Sequence, residues 1–350
     1  MTEHDGYFRA DGELNHPGAL IAALPAVLGF VPEKSLVLAA IEDGALGAVL
    51  RVDLGEDLAG EVHRLADVLA GGHCDAVIAV VVDADGAHCP VCNTEFRTLA
   101  AALAAALADA ELALLAVHVV DRVQRGGRWH CVDGCGAEGV VEDPQVSAMA
   151  AAAVFGGRRL YDRRADLAAV VAAGDRARSA RLAQRIGAPA DDRCTQDPDA
   201  SRRGVHAVIA AARRLAAGVE PDDDVLADIG GVLTDVLARD TLFALAVGDL
   251  AAEAESLWAL LARALPEPSR VEALALLAFS AYARGDGPLA GVALQEAVRC
   301  DPAHRMAGML DEALQSGMRP EQIRELARTG YRVAEQLGVR LPPRLPRRAG

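Results

Sequence analysis

The sequence predicts an α/β unit built on a mixed sheet, followed by an all-helical unit. Three observations carry that reading. Strand-like apolar runs alternate with helical periodicity as far as about Phe155, no convincing strand follows Gly156 and Gly157, and beyond them prolines stand where first helical turns begin, several with an aspartate just upstream. The expected organisation is a mixed α/β domain over residues 16–155, a helical domain over 160–338, and a disordered Arg/Pro-rich tail over 339–350.

Each element has its own signal. From Pro17, the residues Leu20, Ile21, Leu24 and Leu28 recur at helical spacing, with Asn15 and His16 ahead as caps. Ser35 to Ile41 and Leu46 to Leu54 are strand-like runs on either side of the turn residues Glu42, Asp43 and Gly44, which together make a hairpin. Leu58 to Leu69 returns to helical periodicity and stops at Gly71-Gly72. Ala76 to Val82 is an almost unbroken apolar run, the composition of a strand covered on both faces. An alanine-rich helix is expected over Phe96 to Leu107, a second buried strand over Leu112 to Val120, and a turn at Arg125-Gly126-Gly127 leading into Arg128 to Val132. Two hairpins make the sheet mixed rather than purely parallel.

In the second half, Pro198, Pro221, Pro288, Pro302 and Pro320 mark the expected helix starts. Leu274, Leu277, Ala278, Ala281, Gly285, Ala290, Leu294, Ala297 and Pro302 follow the spacing of a tetratricopeptide unit, where small residues let two antiparallel helices pack closely. A continuous solenoid core needs about three such units, so the expectation is one TPR-like hairpin inside a bundle.

Composition narrows the function classes. With 52% hydrophobic residues, aperiodic glycines and seven cysteines in 350 residues, the chain is neither disordered, nor collagenous, nor a disulfide-stapled miniprotein. Lys34 is its only lysine, and the preference for arginine and alanine follows the codons of a GC-rich bacterial genome. The 50 acidic residues against 35 basic give a net charge of −15, which repels polyanions, so no nucleic-acid or membrane-surface partner is expected. Arg158 to Arg185 is locally basic, but a solvated helix face is the simpler reading. Asp222-Asp223-Asp224 reads as a negatively charged helix start rather than a calcium loop. Met1 to Leu14 lacks the basic start and apolar core of a signal peptide, and the apolar stretches Ala19–Val31 and Leu99–Val120 are interrupted by Pro25 and by Asp109, Glu111 and His118. A cytoplasmic protein is therefore expected, with its cysteines as free thiols or metal ligands.

Two sets of residues are candidates for chemistry. Cys89-Pro-Val-Cys92 and Cys131-Val-Asp-Gly-Cys135 could each present two sulfurs to one zinc ion, with His88 and His130 able to replace a ligand. The 38 residues between the pairs exceed the usual ribbon spacing, and four independent thiols remain the alternative. A thioredoxin-like redox role for the first pair requires a helix start directly after a strand, whereas Ala87-His88 reads as loop. The second set is Asp83 and Asp85, directly after a buried strand, with Arg51 and Asp53 two apart and so on one face of another. These could bind a ligand, or form a turn and a surface ion pair. Walker, dinucleotide-binding, nucleophile-elbow and His-Glu-x-x-His motifs are missing from the sequence.

Leu24-Pro25, Leu28-Gly29-Phe30, Pro32, Ser35-Leu36-Val37 and Arg51-Val52-Asp53-Leu54, followed by Gly127-Arg128-Trp129, Leu257-Trp258, Leu265-Pro266, Gly285-Asp286-Gly287 and Asp301-Pro302, resemble the landmarks of the actinobacterial DUF4192 family. The resemblance covers most of residues 16–315. It implies an actinobacterial source, and it transfers no catalytic residue because no activity is assigned to the family. The functional expectation is a non-catalytic binding or scaffolding protein, with a structural zinc site as an open option and a protein partner for the helical domain. The alternative is an enzyme using Arg51, Asp53, Asp83 and Asp85 at strand ends.

Overall fold

The computed structural model describes residues 16–343 except 43, 56, 57, 73, 156 and 187–196. The chain divides into two compact units, Met1–Asp166 and Leu167–Gly350. This boundary lies beyond the one expected at residue 155, because Tyr161 returns to the first unit. Its N–H donates to the Gly29 carbonyl at 2.8 Å and its own carbonyl accepts from Val31 at 3.2 Å.

In the first unit, α1 (Pro17–Leu28) precedes the hairpin β1 (Ser35–Glu42) and β2 (Ala45–Asp53), then α2 (Leu58–Ala70), β3 (Ala76–Val82), α3 (Pro90–Asp109), β4 (Ala113–Val120), β5 (Arg128–Cys131), β6 (Glu138–Val140) and α4 (Ala148–Phe155). The six-stranded sheet has the order β2-β1-β3-β4-β5-β6. Only the β3–β4 pair is parallel, with α3 as the crossover, and the remaining neighbours are antiparallel. The short β6 carries no strong strand signal in the sequence; its pairing with β5 supplies the order that its composition does not.

Every residue of β3 is buried, as its unbroken apolar run requires. Alternation along the strands assigns the faces. Leu36, Leu38, Val77, Ala79, Val81, Val117, Val119 and Val132 form one core with Val62, Leu65 and Leu69 of α2 and Phe96, Leu103 and Leu107 of α3. On the opposite face, Leu20 of α1 packs with Ile41, Ala76 and Ile78. The helix α1 ends at Gly29, whose φ of 74° is a left-handed cap donating to the Pro25 carbonyl.

The largest departure from the sequence reading is the start of α3. The helix begins at Pro90, six residues before Phe96, because Cys89 acts as N-cap and Pro90 suits the first turn, where its missing N–H costs nothing.

The second unit contains helices: α5 (Arg164–Ala169) crosses the boundary, and α6 (Arg176–Ile186), α7 (Pro198–Ala216), α8 (Asp223–Leu233), α9 (Val236–Leu242), α10 (Ala251–Ala264), α11 (Ser269–Arg284), α12 (Gly287–Cys300), α13 (Arg305–Gln315) and α14 (Pro320–Leu337) follow. Aspartates N-cap α7, α8 and α12, as expected. Neither Pro221 nor Pro302 opens a helix: Pro221 precedes the Asp222 cap of α8, and Pro302 lies in the turn before α13, whose cap is His304, accepting from the Ala307 N–H at 3.1 Å.

The centre of this unit is α11, buried along nearly its whole circumference. Gly285 in the left-handed conformation (φ 88°) and the Asp286 cap turn α11 directly into α12, and Ala278, Ala281, Ala290 and Ala297 lie buried in this pair. Arg270, only 4% exposed, donates at 2.8 Å to the carbonyls of Ala262 and Val171, to Glu296 and to the Cys300 sulfur. A buried cation of this kind is tolerated because each donor finds a partner.

The basic stretch of α6 is partly neutralised, since Arg178 and Arg185 pair with Asp223 and Asp224, each at 2.8 Å. The segment after α14, expected to be disordered from residue 339, is packed for its first residues: Val339 is buried and the Tyr331 hydroxyl donates to the Pro342 carbonyl at 2.9 Å. Residues 344–350 and Asn15 lie outside the described residues. Among the described residues, no helix is long and apolar enough to cross a membrane.

Two outcomes follow. A Cβ on Gly18 would stand 2.4 Å from the Val140 carbonyl oxygen, so Gly18→Ala forces α1 away from β6. Denaturant unfolding of the variant should show a loss of about 1–3 kcal/mol. The Glu296 carboxyl, bonded to Arg299 and Arg270, is held down to about 2 from an ordinary 4.5. Its contribution is therefore present above pH 4.5 and lost as the pH falls through about 2. Because Arg299 is largely exposed, Glu296→Gln should remove only about 1 kcal/mol of the stability difference between pH 5 and pH 2.5.

Candidate functional site at the carboxyl end of the sheet

Strand register brings the predicted polar residues to one end of the sheet. Ser35 stands opposite both Asp53 of β2 and Val82 of β3, so Arg51, Asp53, Lys34 and the residues after Val82 cluster there. Asp83 donates its backbone N–H to the Val120 carbonyl, extending the parallel pairing by one bond of 3.0 Å. Its side chain is almost fully buried and turns the chain by accepting from the Asp85 N–H at 3.2 Å. The turn is tight enough to need glycine at 86, where a Cβ would lie 2.5 Å from Asp83 Oδ2 and 2.9 Å from the Phe96 ring.

The charges in this cluster are paired with one another. Lys34 Nζ lies 3.1 Å from Asp85 and 3.4 Å from Asp83, and the two carboxylates, Asp85 foremost, hold its pKa above the usual lysine value. Lys34 has a φ of 43°, a left-handed conformation uncommon for a side chain of this size. Arg51 donates to Ser35 Oγ at 2.8 Å and to Asp53 at 2.5 Å, with its guanidinium 5.9 Å from the centre of the Phe30 ring. Lys34 was not singled out from the sequence, and its being the sole lysine was the one available signal.

The first cysteine pair sits at the same end. Cys89 is the N-cap of α3, directly after the β3 turn, and its sulfur accepts the Cys92 N–H at 3.5 Å. That N–H lowers the Cys89 pKa, whereas the side-chain hydrogen bond that Cys92 donates to Cys89, together with burial, raises that of Cys92. The sequence objection to a redox geometry, a loop in place of a helix start, is thus removed. Asn93 locks the turn: its Nδ2 reaches the carbonyls of Cys89, Ala87 and Gly86 at 2.9, 3.0 and 3.4 Å, and its Oδ1 lies 2.7 Å from His130 Nε2. His130 is engaged by Asn93, and nothing in the sequence pattern pointed to Asn93 itself.

The second pair does not join the first. His130 pairs with Val119 and Cys131 with His118 across β4 and β5, so alternation turns His130 and Val132 toward α3 and Cys131 to the other face. The two pairs, which the sequence left open as one zinc site or as independent thiols, thus lie on opposite faces of the sheet. Among the described residues, the ligand-bearing atoms within 4.8 Å of one another are those of Cys131, Asp133 and Cys135. Asp133 accepts the Cys135 N–H at 2.9 Å, and Gly134 and Gly136 take the positive φ values (73° and 84°) that this turn requires. Burial pushes the Cys131 thiol up to about 12. Facing Cys131 is His118, buried, with its ring 5.1 Å from Trp129 and its Nδ1 without a hydrogen-bond partner. Burial lowers its pKa to about 4, keeping it neutral at pH 7.

Asn93 joins the thiol turn to β5, so its removal has a structural cost. Asn93→Ala leaves the His130 ring nitrogen and turn carbonyls to water, and thermal or urea unfolding should show a loss of about 1–3 kcal/mol.

The model of one family, described as "Domain of unknown function (DUF4192)", matches residues 17–321. No curated protein and no solved structure matches the chain. With the α/β unit and most of the helical unit inside the match, the chain belongs to the DUF4192 family.

Proposed function

We propose that the protein is a non-catalytic binding protein whose α/β unit holds a zinc ion on Cys131, Asp133 and Cys135. The observation that carries this reading is the convergence of those three donors within 4.8 Å on one five-residue turn. The donor set suits Zn²⁺, which takes thiolate and carboxylate ligands together and tolerates three protein ligands with a fourth position filled otherwise. The His118 ring stands across the strand pair from Cys131 and lies outside this three-donor group. The ion would tie the turn after β5 together; no catalytic step is assigned to it.

The helical unit is the partner-facing part in this reading. The α11–α12 pair, with its alanine contacts and the Gly285-Asp286 turn, has the spacing of a tetratricopeptide hairpin. Free cysteines among the described residues and the near-exclusive use of arginine support a place in an actinobacterial cytoplasm. Nucleic acid and membrane surfaces are not partners here, which rests on the charge of −15 and on the pairing of Arg178 and Arg185 with aspartates. One observation favours the alternative, an enzyme: Lys34, Arg51, Asp53, Asp83 and Asp85 gather at the carboxyl end of the sheet, where α/β folds bind ligands. Their internal ion pairing makes that reading the weaker one.

Protein purified without chelator should carry about one zinc per chain by native mass spectrometry and elemental analysis. At roughly 100-fold excess over Kd the ion contributes about 2.7 kcal/mol, so chelator should lower Tm by roughly 5–10 °C. Cys135→Ser should lose the metal while Cys92→Ser keeps it. Metal-free protein, or equal retention in both variants, would remove this site.

A further inference from the structure

We propose that Cys89 and Cys92 form a redox-active dithiol that reduces low-molecular-weight disulfides. The inference is independent of the zinc reading, since it uses the other two cysteines on the opposite face of the sheet.

The geometry supplies what thiol–disulfide exchange needs. Cys89 caps α3 directly after the fully buried β3, so the partial positive charge of the helix start and the Cys92 N–H both face its sulfur. The Cys89 sulfur lies 3.5 Å from the Cys92 backbone nitrogen, so both thiols share the first turn of α3 and a disulfide between them needs only side-chain rotation. Their surroundings differ. Cys92 packs against the apolar core under α3, while Cys89 stands beside exposed Pro90 and Val91, the latter 68% exposed. The lowered pKa of Cys89 and the raised pKa of Cys92 have the same sense, one sulfur poised to attack and one held back as a thiol. Asn93, bonded to three turn carbonyls, holds this arrangement in place before any substrate arrives.

The chemistry balances in two displacements. The Cys89 thiolate attacks one sulfur of a disulfide RS–SR′, breaking that bond, forming a Cys89–S–SR bond and releasing R′S⁻. Cys92, losing its proton to solvent, then attacks the Cys89 sulfur; the Cys89–SR bond breaks, RS⁻ leaves, and the Cys89–Cys92 disulfide forms. Two electrons pass from the dithiol to the substrate, and the two thiol protons end on the two released thiols.

The test uses the full chain, freshly reduced and held in chelator so that metal plays no part, with glutathione disulfide as the substrate. In the wild-type protein two glutathiones should be released per disulfide consumed, and peptide mass spectrometry should find a Cys89–Cys92 disulfide with no glutathione left on either residue. Cys92→Ser should stop after one glutathione, leaving a stable mixed disulfide on Cys89. Cys89→Ser should react at this turn about tenfold more slowly or less, because the held-back thiol is then alone. A stable glutathione adduct on Cys89 in the wild-type protein, or a Cys89 that reacts no faster than Cys300, would overturn the proposal. Because the wild-type product is decisive by itself, the outcome stands even if a variant folds poorly.

Discussion

The complete burial of β3 is the constraint on which the α/β unit depends. A strand whose every side chain is buried must be central and must have cover on both faces. That requirement places β1 and β4 beside it, sets α2 and α3 on one face and α1 on the other, and makes α3 the crossover between the parallel pair β3 and β4. The paired charges and the first thiol pair then fall at the end where β3 stops. Asp83 continues the pairing to β4 by one hydrogen bond, the chain turns at Gly86, and α3 starts with Cys89 as its cap.

The same constraint separates the chemistry. A sheet covered on both faces is a wall, and neighbouring residues on one strand project to opposite sides of it. His130 therefore meets Asn93 of α3, whereas Cys131, its immediate neighbour, faces His118 and turns with Asp133 and Cys135 into a separate cluster. One pair of thiols caps a helix and differs internally in acidity; the other lies beside a carboxylate and a buried imidazole. Two cysteine pairs that look alike along the chain thus occupy different environments on opposite faces of the sheet.

The helical unit solves its core differently. α11 is buried on nearly all sides and is wrapped by its neighbours, so it needs no single amphipathic stripe. Arg270, a charged group buried inside it, is satisfied by carbonyls from two other segments, by Glu296 and by the sulfur of Cys300. Such a group ties α10, α12 and the segment at Val171 to one geometry, because moving any of them strands a buried charge.

Local patterns determined much of this protein. The boundaries of α1, β1 and β3 follow from apolar periodicity, unbroken apolar runs and the proline, glycine and turn residues that bracket them. The mixed sheet, the helical second half and the aspartate caps were equally legible, and so were the polar residues that gather at the sheet end. What the tertiary structure alone decided was where side chains point and what they meet. The start of α3 at Pro90 was hidden because a capping thiol and an N-terminal proline look like loop until the strand before them is in place. The division of the four cysteines was hidden because it depends on which strand pairs with which, and a single residue of register exchanges one face for the other. The roles of Lys34, Asn93 and His118 were hidden for the same reason: each matters through a partner distant in the chain, and pairing across that distance is set by the sheet rather than by any pattern within the segment.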